Sequence, residues 1–218
     1  MAKVRGVGVT YEASDRLAQI VLDRPEAGNA LDLEMARTLR EQIERALSDP
    51  YVDIITLTAN GKDFCLGSDT RDAEAADDPT TAVFELAAAL EELFALLNSS
   101  TKLVLVGVHG RAMGSGLGLV LAGDLAFCAD DASFCVAPKG GTGAPDPGLA
   151  WLLPRAIGMS RAAELLFTGD VVDAARRALP DVELYNLYGP TEFTVHATSS
   201  AVGTAADGAV PVWKLRHG

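Results

Sequence analysis

The chain has 218 residues, with 18 Lys and Arg against 30 Asp and Glu for a formal net charge of −12, and 49% of its residues are hydrophobic. That length suits one domain, or one domain with an appendage, and supplies enough residues for a sizeable core. A charged share of 22% beside so much apolar content excludes a disordered chain. The acidic balance, with no basic run anywhere, argues against a nucleic acid or an anionic membrane as partner, because phosphate contacts need clustered Lys and Arg.

The first strand expected in chain order is Leu17 to Leu22, a short run rich in branched residues. The loop DRPEAGN follows, kept from being helical by Pro25 and Gly28. Asp32 then caps a helix to about Leu47, with Met35, Leu39, Ile43, Ala46 and Leu47 on one face, and Asp49-Pro50 ends it. Asp53 to Ala59 reads as a buried strand. An acidic loop from Arg71 to Pro79 leads into an apolar helix, Thr81 to Leu97, and the strand Lys102 to Val108 comes next. A glycine-rich turn, GRAMGSGLG, opens a helix through Leu121. Two strands, Asp124 to Ala129 and Ser133 to Ala137, precede a loop of Gly and Pro, and short helices are expected at Leu149 to Ile157 and Arg161 to Thr168. Strands alternating with helices of this size point to an α/β fold of successive ββα units.

Cys65, Cys128 and Cys135 are odd in number, lack CxxC spacing and sit in apolar runs, so they read as buried thiols of a reducing cytosol rather than disulfides or zinc ligands. No metal constellation is present in the pattern. The N-terminal MAKVRGVGVTYEASD lacks the apolar core of a signal peptide, and no long uncharged apolar stretch follows, so a cytoplasmic location without a membrane partner is expected.

Two loops set a small residue after a strand and at a helix start: Phe64-Cys65-Leu66-Gly67-Ser68-Asp69 and Gly110-Arg111-Ala112-Met113-Gly114-Ser115-Gly116. Free N–H groups at such a position suit a developing oxyanion, and glycine lets a ligand approach the backbone. On spacing alone, each is more simply an ordinary strand-to-helix turn. A phosphate loop is excluded, since GSGLG is not followed by Lys-Ser/Thr.

Four ordered segments carry a resemblance. DRPEAGNALD, DFCLGSD, VHGRAMGSGLGLVLAGDLAFCADDASF and PDPGLAWLLPRAIGMSRAAELLFTGD are similar, in order and nearly without gaps over residues 7–178, to motifs of the crotonase superfamily, the enoyl-CoA hydratase/isomerase group. The resemblance implies a crotonase (ClpP-like) fold and an acyl-CoA thioester as substrate, with no other cofactor. The thioester carbonyl would be held by the backbone N–H groups of Ser68 and Ser115, where the family pattern usually has Ala and Gly. Leu66, Gly67 and Asp69 match the loop that contacts CoA. Arg24 matches a basic position near its phosphates, and equally fits a solvated loop charge.

Hydratases of this family use two glutamates, a base for water and an acid for the α-carbon. The matching positions here are Gly118 and Pro138, and neither residue can move a proton. Asp146 sits where double-bond-shifting relatives and the dehalogenase branch place a carboxylate, and so is the candidate acid–base or nucleophile, although an Asp between two prolines is also a natural turn former. The resemblance therefore implies isomerase or other proton-transfer chemistry. Its alternative is a degenerate crotonase that binds CoA esters or serves as a partner subunit in a biosynthetic pathway. A homo-oligomer, trimer or hexamer, is expected from the family.

Composition shifts near Leu179. The body, residues 1–178, is expected to be a C-terminally truncated crotonase domain, and residues 179–218 an unrelated tail. LPDVELYNLYGPTEFTVHATSS resembles the adenylation domains of nonribosomal peptide synthetases, with Tyr188, Thr191 and Glu192 at that motif's nucleotide and Mg positions. About 35 residues are far too few for such a domain, so ATP activation is not expected.

Overall fold

A computed structural model of the chain describes residues 4–137, 146 and 148–173, together with the backbone of residues 185–186, 200–201 and 210–213. It begins with strands β1 (Val4–Gly6), β2 (Val9–Ser14) and β3 (Leu17–Leu22), which form an antiparallel meander. The tight β2–β3 turn places Asp15 and Arg16 at positive φ, 51° and 66°. The composition of Asp15 and Arg16 gave no glycine signal for this hairpin, and β1 and β2 are absent from the pattern-based expectations.

Helix α1 (Leu33–Ser48) starts where its cap predicts: the Asp32 side chain accepts from the Met35 N–H at 2.8 Å. It buries Met35, Ala36, Leu39, Gln42, Ile43 and Ala46. Strand β4 (Ile54–Ala59) then pairs in parallel with β3. The acidic segment expected to be loop contains a one-turn helix, α2 (Arg71–Glu74). The long helix α3 (Pro79–Asn98) begins two residues earlier than its apolar period suggested, because Asp78 caps it and Pro79 fits its first turn.

Strand β5 (Leu103–Val108) continues the parallel sheet, and a short strand, β6 (Arg111–Met113), lies inside the glycine-rich turn. Helix α4 (Ser115–Ala122), β7 (Leu125–Cys128), β8 (Ser133–Cys135), α5 (Leu149–Ile157), α6 (Met159–Thr168) and β9 (Val172–Asp173) complete the body. Three further strands, β10 (Tyr185–Asn186), β11 (Ser200–Ala201) and β12 (Val210–Trp213), fall in the C-terminal segment.

The main sheet has seven strands in the order β1-β2-β3-β4-β5-β7-β12, parallel from β3 through β7 and closed by β12 antiparallel to β7. A smaller sheet, β6-β8-β9, forms a second layer, and β10 pairs with β11. Successive strand side chains point to opposite faces, so alternate positions share one core face. Ile20, Leu22, Ile55, Leu57, Val104 and Val106 line that face, each at most 1% exposed. Their core also holds the inner faces of α1 and α3. A second apolar cluster, Leu117, Val136, Leu149, Leu153, Ala162 and Leu165, joins α4 to α5 and α6. Cys65, Cys128 and Cys135 are buried and none is in a disulfide. Among the described residues no helix is long and apolar enough to cross a membrane. Pro138, Tyr188, Thr191 and Glu192 lie outside the described residues.

Candidate functional site

The second sheet layer brings the two glycine-bearing loops together. Cys65 bridges Ala112 of β6 in parallel, its N–H donating to the Arg111 carbonyl at 3.1 Å and its carbonyl accepting from Met113 N–H at 2.9 Å. Leu31 and Ser68 form a second bridge, with Leu31 N–H on the Gly67 carbonyl and Asp69 N–H on the Leu31 carbonyl, both at 2.8 Å. Three segments distant in sequence thus run side by side, and the Ser68 loop lies against the start of α4.

Each serine is preceded by a glycine in a backbone state that disfavours any side chain. Gly67 has φ +105° and Gly114 φ +50°. Glycine takes up such turns without the steric cost a Cβ would carry. Ser68 N–H has no acceptor among the described residues. Ser115 N–H, at the first turn of α4, donates to the Asp146 carboxylate. The same carboxylate oxygen, Oδ2, accepts from Ser115 Oγ at 2.6 Å and Ser68 Oγ at 3.1 Å, and the two hydroxyl oxygens lie 2.8 Å apart. Ser68 and Asp146 are 78 residues apart in the chain. Gly114 makes this meeting possible, since a Cβ there would run into the Asp146 carboxylate.

Gly118 lies one helical turn further along α4, fully enclosed. A Cβ at this position would sit 2.7 Å from Cζ and 3.0 Å from Cε1 of Phe94, and a Cβ on Gly148 would come within 2.7 Å of the same ring. The Phe94 ring from α3 fills the space that a glutamate side chain at position 118 would need.

The rim is polar. Arg24 is fixed in place: its guanidinium pairs with Asp32 at 2.7 Å and Asp69 at 3.1 Å, and donates to the Ala30 carbonyl at 3.1 Å. Asp69 is held further by a two-pronged pair with Arg71, both contacts at 2.8 Å, and this pairing pulls its carboxyl down to about 2. The Arg71 side chain is 73% exposed. It is a cation at the mouth of the loop that sequence reasoning passed over. Its signal was its spacing two residues after Asp69. Leu66 covers Gly28, with Cγ 2.8 Å from where a Cβ would stand.

Asn29, also passed over, is fully buried at φ +54° and ties the loop together. Its Oδ1 accepts from Arg24 N–H at 2.8 Å, and its Nδ2 donates to the carbonyls of Asn60 and Asp63 at 2.8 and 2.9 Å. A lone Asn in a loop of Pro and Gly carries no hint of three partners until the loop is closed. Below it, Asp63 pairs with Arg111 at 2.7 and 2.8 Å, which holds that carboxyl below the usual carboxylate range. His109 Nε2 contacts the Gly61 carbonyl at 2.9 Å, a structural link at the base of the loop. Burial pushes the Cys65 thiol up to about 12, and the nearby Asp146 charge adds to that rise. Among the described residues, no group of three His, Cys, Asp or Glu is placed to hold a metal.

Sequence-predicted Ser68, Gly67, Ser115 and Asp146 therefore meet in one place, while Arg24, Leu66 and Asp69 stand together on the adjoining rim. The Ser115 N–H engaged by a carboxylate and the open Ser68 N–H belong to the same site; that constellation can stabilise a developing oxyanion and move a proton beside it.

The family model described as enoyl-CoA hydratase/isomerase matches residues 12–179. A Rhodobacter capsulatus protein named Probable enoyl-CoA hydratase is 36% identical over 183 residues, covering 80% of this chain and 70% of its own length. The trans-2-decenoyl-(acyl-carrier-protein) isomerase of Streptococcus mutans is 28% identical over 170 residues, covering 77% of this chain and 65% of its own. A solved structure from Pseudomonas aeruginosa superposes with a TM-score of 0.73 at 30% identity, over 78% of this chain and 73% of that one. The chain thus spans about two thirds of the length of the relatives it matches.

Proposed function

The chain belongs to the enoyl-CoA hydratase/isomerase family and has the crotonase fold, and from that premise we propose that it is an enzyme shifting a proton on an acyl-CoA thioester. The thioester oxygen would lie between the N–H groups of Ser68 and Ser115, with the nucleotide end of CoA passing the rim of Arg24, Leu66, Gly67 and Asp69. The observation that carries this reading is the convergence of both serines and Asp146 from three separate parts of the chain.

The chemistry follows from charge placement. Removing a proton from the carbon beside a thioester carbonyl pushes the electron pair onto oxygen. Two fixed N–H dipoles meet that charge without reorganising. The Asp146 carboxylate takes the proton and returns it to the α- or γ-carbon, so the double bond moves without net gain of atoms. Addition of water is disfavoured here: Phe94 occupies the space beside Gly118 where a second carboxylate would have to stand. The isomerase named among the relatives accords with this choice.

The test is turnover of 2-enoyl- and 3-enoyl-CoA substrates by the parent chain and by Asp146→Asn. We expect double-bond migration without hydration, and a loss of about 10²- to 10⁴-fold in kcat in the variant. Hydrated product, or undiminished isomerisation by Asp146→Asn, would overturn it. A second reading, CoA-ester binding without turnover, is favoured by the filled space at Gly118. It predicts saturable binding of acyl-CoA by a parent chain that converts none of these substrates.

A further inference from the structure

We propose that Asp146 is also an internal ligand of the oxyanion site, a carboxylate that occupies the thioester oxygen's place in the free chain and must be displaced when substrate binds. The inference takes its ligand from the acyl-thioester reading above, and its geometry from the free chain alone.

One oxygen of the carboxylate, Oδ2, gathers the Ser115 N–H and contacts from both serine hydroxyls at 2.6 and 3.1 Å. With the carboxylate ionised, the two hydroxyls carry only two protons for the three contacts among them. Both therefore donate to Asp146, or one donates to its neighbour and the other to Asp146. In either arrangement the carboxylate is held by at least one O–H and one N–H, a charge-assisted set. It lies directly on the bare backbone of Gly114, a seat that any side chain there would abolish.

A carbonyl oxygen needs both N–H groups of the hole, and Ser115 N–H is already engaged. The apparent affinity for a thioester is therefore reduced by the fraction of molecules in which Asp146 has left the hole. The two hydroxyls lower that fraction. The crotonase pattern resembled here has Ala and Gly at these positions, neither of which has a hydroxyl to offer, so the hold on Asp146 is a property of Ser68 and Ser115. The same donor set is a site for a small carboxylate when Asp146 is removed.

Two measurements test this on the full chain. In the first, butyryl-CoA and its thioether analogue S-butyl-CoA, which has no carbonyl oxygen, are titrated calorimetrically into the parent, Asp146→Gly and Ser68→Ala. Ser68→Ala keeps the backbone N–H and loses only the hydroxyl. We expect the thioester Kd to fall about tenfold in Asp146→Gly and about threefold in Ser68→Ala, with the thioether Kd unchanged. Equal changes for both ligands, or no tightening of the thioester in either variant, overturn the inference.

In the second, thermal unfolding is followed with sodium formate against sodium chloride of equal ionic strength. Formate should raise the Tm of Asp146→Gly by about 2–4 °C and leave the parent unmoved. No rise overturns the inference. If formate stabilises Asp146→Gly while neither CoA ligand binds any of the three proteins, the acyl-CoA reading falls and the internal carboxylate site stands. If the thioester binds all three equally and formate has no effect, the reverse holds.

Discussion

The two serine loops end in the same kind of N–H donor and are built from opposite materials. The Ser115 turn is made of glycine backbone packed without room to spare: Gly114 against the Asp146 carboxylate, Gly116 against the Cys65 carbonyl, Gly118 against the Phe94 ring. The Ser68 loop is held by polar side chains, with Asn29 spanning three backbone groups and Arg24 and Arg71 gripping Asp69. The packed turn leaves no space for a Cβ at Gly116 or Gly118. The loop tied by charge and amide depends on the ionised Asp69 carboxylate and so responds to acid. The site is as accurate as the less rigid of its two halves.

Gly118→Glu should break the packed half most severely. It drives a carboxylate into the Phe94 ring and buries it without a partner, at a cost of about 4 kcal/mol or more in urea unfolding, partly regained by adding Phe94→Ala. Gly116→Ala should cost about 3 kcal/mol, because its Cβ would meet the Cys65 carbonyl, backbone that cannot swing aside. A loss below 1 kcal/mol would show that the turn has slack.

Asn29→Ala attacks the polar half. It leaves the Asn60 and Asp63 carbonyls and the Arg24 N–H without their partner, for a loss of about 2 kcal/mol. Because those bonds hold the Ser68 loop, thioester binding should weaken while the folded core persists by circular dichroism.

Acid probes the ion pairs of the polar half. Asp69 is ionised in the folded chain down to about 2, against roughly 3.9 when unfolded. Its contribution is complete above about pH 4 and disappears as pH falls from there toward 2. Tm measured across that window should fall less steeply in Asp69→Asn than in the parent, by a margin reduced by the exposure of Arg71. Identical slopes would remove Asp69 from the account of the loop. The smallest effect is expected at Cys65, whose buried thiol, pushed up to about 12, should take up no iodoacetamide at pH 8 in the folded chain and react fully in urea.

Much of the body was legible because its signals are local. The α1 period and its Asp32 cap, the branched runs of β3 and β4, and α5 from Leu149 to Ile157 need only neighbouring residues to be read. β2 was missed because its partner strand, not its own alternation, makes it a strand; β6 was missed because three residues inside a glycine-rich turn carry no period. At the site, motif resemblance named Ser68, Ser115 and Asp146, while Asn29 and Arg71 escaped because their importance lies in partners that sequence spacing does not reveal.

By itself, the sequence determined the α/β alternation, the Asp32 cap of α1, the glycines that precede each donor and the glycine at position 118 where a glutamate has a place in the family pattern. These follow from backbone stereochemistry and hydrophobic period, which act over a few residues. Only the tertiary structure decided that Phe94 fills the space beside Gly118, that Arg24 is already engaged by two carboxylates, and that Asp146 rests between the two serines. Those facts depend on parallel bridges joining segments tens of residues apart, and no local preference encodes which side chain arrives opposite which.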